Sequence, residues 1–320
     1  MNPTRRAIAA VALLAAAISS CAAFFFYRTG ALLYFGDAES HLNTARRVFD
    51  SITPGVDQFG SPWLPLPHLL LMPFVRSDAL WRTGLAGCIS SGACFVVAAV
   101  FLFAATRRVF RSELPAVAAV AVFVLNPNNL YLQSTPMTEP VFFLALCGLL
   151  YFTVRFVEIP TAGPALGAGV TILAATLTRY EGWFLIPFVG LFLLVHARDR
   201  RWRILFLFGS VAAAGPLVWL FYNWWLSGNP LLFYNGPYSA TAIQGGTPYP
   251  GKGDWPLAAL YYLTACRLVT GVPLLIMGTI GVLAALWRRL FWPVLFLTLP
   301  PAFYIWSVHS SGTYIHVPPL

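Results

Sequence analysis

The chain has 320 residues, 58% of them hydrophobic and only 10% charged, against about 25% charged in ordinary soluble domains. With a mean hydropathy of +0.72 it carries more apolar surface than a soluble fold of this size can hide, so an all-α polytopic membrane protein is expected. Disorder, a secreted disulfide scaffold, a coiled coil and a soluble α/β enzyme are excluded, and the net charge of +9 is first a question of membrane topology.

A spanning helix needs about 20 mostly apolar residues, because in lipid the backbone must satisfy its own hydrogen bonds. About nine stretches qualify: 7–27, 84–105, 114–131, 139–157, 165–179, 183–197, 204–226, 267–287 and 291–308. Placing Arg5 and Arg6 in the cytoplasm puts Arg107, Arg108, Arg111, Arg155, Arg198, Arg200, Arg201, Arg203, Arg288 and Arg289 in the loops on the same side. That side then holds 12 of the 20 basic residues and three acids, Glu113, Glu158 and Asp199, which accounts for the whole net charge by the positive-inside rule. Nucleic acid is not needed to explain it. The five cysteines form no CxxC pair and read as small buried hydrophobes. Ile18-Ser19-Ser20-Cys21 looks like a lipoprotein processing site, but the apolar run continues past it to Tyr27, as an uncleaved span does.

The connections on the basic side are short, whereas two outer loops, 28–82 and 227–266, are long, and long structured loops on one face point to function there. In the first, Asp37 and Glu39 follow Gly36. Leu42, Ala45, Val48 and Phe49 then recur at helical spacing, as in an amphipathic helix lying in the interface. Phe59-Gly60-Ser61-Pro62-Trp63-Leu64-Pro65-Leu66-Pro67-His68 leads into an apolar stretch, 69–75, too short to span; it reads as a re-entrant or surface segment. The second loop carries Phe233-Tyr234-Asn235-Gly236-Pro237-Tyr238, Gly245-Gly246-Thr247-Pro248-Tyr249 and the single lysine, Lys252. Its rings suit sugar faces and the membrane interface equally.

Asp37 and Glu39, then Glu139 at the start of the fourth span, then Arg179 and Glu181 between the fifth and sixth, all fall on the outer side. Ionisable groups at membrane depth are costly and are usually paired or functional. Each has a plainer reading as well: Asp37 as the polar exit of a span, Glu139 as a complement to a helix dipole, Arg179 with Glu181 as a local ion pair. His41 and His68 lack metal-ligand spacing, and His196, His309 and His316 read as interfacial. No Walker loop, GxGxxG, HExxH or GxSxG is present, which leaves nucleotide chemistry without support.

Taken together, Gly36-Asp37-Ala38-Glu39, Trp63-Leu64-Pro65-Leu66-Pro67-His68, Thr138-Glu139-Pro140, Arg179-Tyr180-Glu181-Gly182-Trp183 and Asn229-Pro230-Leu231-Leu232-Phe233 make the chain resemble the GT-C class of multispanning glycosyltransferases. The closer likeness is to the branch of protein O-mannosyltransferases and lipid A aminoarabinose transferases. The resemblance implies a polyprenyl-phosphate-linked sugar donor used on the outer face of a bacterial plasma membrane, with an acceptor that is a protein, a lipid or a glycan. It implies catalytic acids at Asp37, with Glu39 beside it, and at Glu139, and a donor-phosphate contact from Arg179; the loop placement of Lys252 is compatible with a second such contact or with a solvated side chain. His68, Trp63, Glu181, Tyr234 and Tyr238 are the expected substrate-binding groups. No cofactor and no metal are expected, although two carboxylates facing a phosphate are also compatible with a divalent cation. GT-C enzymes often have eleven or more spans and a soluble C-terminal domain; this chain, read as one domain over 1–320, is a short member or a fragment. The rival readings are a transporter or lipid flippase, a membrane scaffold, and an oligosaccharide ligase using a lipid diphosphate donor.

Overall fold

The computed structural model describes residues 3–244, 248–310, 313 and 315; Gly245-Gly246-Thr247 and His316 lie outside them. Every regular element among the described residues is helical. The chain divides into two compact units, Met1–Leu220 and Phe221–Leu320.

The first unit opens with α1 (Pro3–Arg28). A layer of short helices follows: α2 (Gly36–Arg47), a 3-10 turn (Val56–Phe59), α3 (Leu66–Val75) and α4 (Asp78–Thr83). Then come α5 (Leu85–Phe110), α6 (Glu113–Val124), α7 (Pro127–Leu132), α8 (Glu139–Glu158), α9 (Ala162–Thr176), α10 (Glu181–His196) and most of α11 (Arg201–Ser227), whose last turns belong to the second unit. Four of these, α1, α5, α8 and α11, are long and apolar enough to cross a membrane and match the first, second, fourth and seventh expected spans. The protein is a multi-pass membrane protein. Helices α9 and α10 have 15 and 16 residues, about 23 and 24 Å at 1.5 Å per residue, less than the apolar thickness of about 30 Å.

The expected third span, 114–131, is broken. The residue before a proline is pushed out of the helical region, and Asn126 precedes Pro127. Its side chain instead accepts the Asn128 N–H at 2.9 Å and the Asn129 N–H at 3.4 Å, starting a new helix as an N-cap. The non-helical stretch 133–138 that follows is deeply buried at Gln133, Ser134 and Thr135. Irregular backbone at this depth is tolerated only inside protein. Here Ser19 donates to Gln133 at 2.5 Å, and Ser91 donates to the Thr135 carbonyl at 2.7 Å. Gly87 leaves room for the Pro136 backbone to approach α5. This stretch delivers Glu139 to the start of α8.

Helices α5 and α8 and then α8 and α9 pack side by side, with Gly148 against Thr171 and Gly167 against Phe152. Small residues at such contacts let membrane helices approach closely. Ala15, Phe95, Ala99, Phe103, Ala116, Val120 and Val124 form the core where α1, α5 and α6 meet. Arg108 meets Glu158 and Arg107 meets Glu113 at one end of this bundle. Glu139 lies at the other, the length of α8 away, about 30 Å.

The first long loop differs from its sequence reading. Helix α2 starts earlier, at Gly36, and its first-turn acids Asp37 and Glu39 and last-turn Arg46 and Arg47 complement the helix dipole. Its buried face, including Leu42 and Ala45, packs on Leu71 and Val75 of α3 and on Ala86, so it docks on protein rather than lying free in the interface. Phe49, expected on the apolar stripe, is exposed. The 69–75 stretch belongs to α3, which closes on the same core. Arg46 fastens the layer, donating to the carbonyls of Val75 at 2.7 Å and Arg76 at 3.1 Å and pairing with Asp50 and Asp78.

The second unit contains α12 (Leu232–Asn235), α13 (Ala240–Gln244), α14 (Trp255–Thr270), α15 (Val272–Trp287) and α16 (Phe291–His309). The loop expected over 227–266 is therefore shorter. Asp254 caps α14 by accepting the Leu257 N–H at 2.9 Å. The eighth expected span, 267–287, is not one straight helix: α14 and α15 meet at a bend of 112°, made where Gly271 takes φ +77°, a conformation open to glycine. The start of α14 meets the end of α16, with Trp255 stacked on His309 at 4.1 Å and Tyr249 donating to the Val308 carbonyl at 2.6 Å.

Candidate functional site

Three pieces of the first unit converge at the end of the bundle that carries the short-helix layer. The first is the start of α8. The second is the turn 177–180 between α9 and α10, a tight turn because Gly182 lies against the backbone of Ala175 and Thr176, where a Cβ would come within 2.5 Å of the Ala175 carbonyl carbon. The third is the segment leading into α3. It is tied to that turn by the Leu66 N–H, which donates to the Leu177 carbonyl at 2.9 Å, and by the Tyr180 hydroxyl, which donates to the Pro62 carbonyl at 3.2 Å. Trp219 of α11 donates to the Tyr180 oxygen at 3.1 Å.

Arg179 sits at the junction. Its Nε donates to Glu181 at 2.9 Å, and its Nη1 donates to Glu139 at 3.0 Å and to the Thr138 hydroxyl at 3.1 Å. The local ion pair read from sequence is thus a three-membered bridge across two helix starts. Each carboxylate lies in a first helical turn, where the dipole favours it, and charge-assisted hydrogen bonds of this kind are the strong ones. The second carboxylate oxygen of Glu139, Oε2, is buried and makes no hydrogen bond, so the cluster holds an acceptor atom whose need is unmet, as buried polar groups rarely are.

Beside the bridge lie two histidines. The His41 Nδ1 and His68 Nε2 are 2.9 Å apart and both residues are buried, with the Trp63 ring 4.4 Å from His41. Burial first, and then the nearby Arg179 charge, lower the His41 pKa to about 4; burial, then His41, lower that of His68 to about 3. Both rings are neutral at pH 7. His68 follows, and Trp63 belongs to, the segment that Pro62 and Leu66 tie to the turn 177–180.

Asp37 and Glu39 are exposed in the first turn of α2, and neither is joined by a hydrogen bond or ion pair to Arg179 or Glu139. Asp37 lies one helical turn before His41, on nearly the same side of the helix. The structure therefore joins Glu139, Arg179 and Glu181 directly, ties the segment that carries Trp63 and leads to His68 to the Arg179 turn, and leaves Asp37 exposed without a hydrogen bond or ion pair to Arg179 or Glu139. Tyr234, Tyr238 and Lys252 belong to the second unit and are exposed. His41 is brought to His68 by the packing of α2 on α3, across 27 residues of sequence. Among the described residues no group of three or more His, Cys, Asp or Glu is arranged to hold a metal ion.

No curated protein and no solved structure matches the chain. Residues 81–222 match the family model of dolichyl-phosphate-mannose-protein mannosyltransferase. The matched stretch is less than half of the chain; it contains Glu139, Arg179 and Glu181 but not the layer that holds Asp37, His41 and His68. With helices alone among the described regular elements and four of them long and apolar enough to cross a membrane, the match supports a glycosyltransferase of the GT-C type.

Proposed function

We propose that the protein transfers a sugar from a polyprenyl-phosphate donor to an acceptor hydroxyl on the outer face of a bacterial plasma membrane, with inversion at the anomeric carbon. The observation that carries this reading is the Arg179 bridge: a guanidinium fixed by Glu139 and Glu181 beside the layer that bears Asp37. The basic ends of α5 and α8 lie at the opposite end of the bundle, which supports a cytoplasmic N-terminus and an outward-facing site.

Asp37 takes the proton of the acceptor hydroxyl as its oxygen attacks the anomeric carbon. The bond from that carbon to the phosphate oxygen breaks on the far side, and its electron pair leaves with the lipid phosphate. A well-placed base contributes about 10²–10⁴-fold. Arg179 stabilises the charge that gathers on the departing phosphate, preorganised because its carboxylates already hold it. The unsatisfied Glu139 oxygen accepts from a hydroxyl of the incoming substrate. Trp63 lies beside the site as a sugar-contacting surface. The reaction runs without a metal.

The test is a panel of polyprenyl-phosphate sugars offered to the purified protein in lipid. One donor is turned over, Asp37→Asn lowers the rate by about 10² or more, and chelation leaves it unchanged. A folded Asp37→Asn protein with full activity overturns the proposal. Loss on chelation restored only by Mg²⁺ or Mn²⁺ overturns its metal-free part.

A further inference from the structure

Beside the apolar contact of Leu42 and Ala45 with Leu71 and Val75, helices α2 and α3 also meet through two histidines, His41 at 3% and His68 at 0% exposure. Two neutral imidazoles share a single proton across the 2.9 Å between Nδ1 of His41 and Nε2 of His68. Stability alone does not call for this arrangement, since two apolar residues of the same shape at a buried pair are close to neutral. The pair is also imperfect by that standard: Nδ1 of His68 is buried with no hydrogen bond of good geometry. What lies on either side of it gives it a use. On one side, α3 and its lead-in are tied to the Arg179 turn through Leu66–Leu177 and Pro62–Tyr180. On the other, α2 carries Asp37 one turn before His41.

We propose that His41 and His68 form a positioning pair whose hydrogen bond locks α2 to α3 and so fixes Asp37 relative to Arg179. Neither ring touches the substrate; both are covered by protein, with Trp63 over His41 and Phe59 flanking His68 at 6.1 Å. The inference rests on the sugar-transfer reading, in which a base and a phosphate-binding cation must face opposite sides of one anomeric carbon. Displacing one reacting group by about 1 Å costs as much as about 10²-fold in rate.

The experiment compares wild type, the double variant His41→Leu/His68→Leu, and His68→Gln, which keeps a hydrogen-bonding group, each with and without Asp37→Asn. The double variant is expected to stay folded, to lose at least about ten-fold in kcat, and to keep the donor KM within about two-fold. His68→Gln recovers most of the kcat. On the double-variant background Asp37→Asn costs much less than it does in wild type, because the base is already misplaced; coupled residues behave this way and independent ones do not. If the double variant does not fold, His41→Asn is read by the same three measures. Unchanged kcat per folded molecule, a loss confined to donor KM, or a full Asp37→Asn penalty on the variant background each overturns the inference. An inactive wild type sinks the sugar-transfer reading itself, whereas an active wild type with indifferent histidine variants sinks this inference alone.

Discussion

Helix α8 begins and ends with a glutamate, and both are paired with arginine. At its end Glu158 meets Arg108 at 2.7 Å with side chains 37% and 33% exposed. At its start Glu139 meets Arg179 at 3.0 Å with 26% and 25% exposed, and there Arg179 is also held by Glu181, only 8% exposed. Bond length does not distinguish the two ends; the Glu139–Arg179 pair is the longer. Burial and shared partners do. A solvated pair is worth about 0–1 kcal/mol. In the more buried network, losing one member strands the others.

The comparison breaks most visibly at Arg179. Arg179→Ala leaves two largely buried carboxylates without their cation and is expected to cost about 3 kcal/mol, read as a lower thermal midpoint in detergent, along with most donor turnover. Arg179→Lys does not restore it, because one ammonium cannot reproduce the forked contacts to both carboxylates. Gly182→Val pushes a side chain into the Ala175 backbone and is expected to cost about 2 kcal/mol; a midpoint unchanged from wild type would mean that the turn beneath Arg179 yields easily. Acid sharpens the contrast further. The histidine pair belongs only to the Arg179 end, and its pKa values are lowered to about 4 and about 3. The unfolded chain, with ordinary histidines, binds protons first as pH falls, so stability drops from about pH 6.5 down through those values. His41→Leu/His68→Leu flattens that part of the pH–stability curve. The smallest effect belongs to the other end: Arg108→Ala changes stability by less than about 1 kcal/mol and leaves sugar transfer unaltered.

Much of this was legible in the sequence. Apolar length fixed the helical membrane class, and the placement of acids at span ends put Glu139, Arg179 and Glu181 on one side before any coordinates. Long uninterrupted runs such as 84–105 and 204–226 were found because their signal is summed over many residues. The break at Asn126-Pro127 was not, because an apolar run on both sides hides a local turn. Helix α2 was placed too late because its first turn is polar, Gly36 to Ser40, and carries no apolar stripe. The histidine pair was not legible: 27 residues separate His41 from His68, and only the packing of α2 on α3 brings them together. Asp37 is exposed in the first turn of α2, and its proposed role rests on chemistry rather than on a contact.

The measurement closest to the central claim follows the fate of a donor labelled in both its sugar and its lipid, in sealed vesicles containing the purified protein. Sugar transfer predicts free polyprenyl phosphate together with label on an acceptor in the opposite anomeric configuration. Intact donor moved from one leaflet to the other, with no bond to phosphate broken, would contradict it.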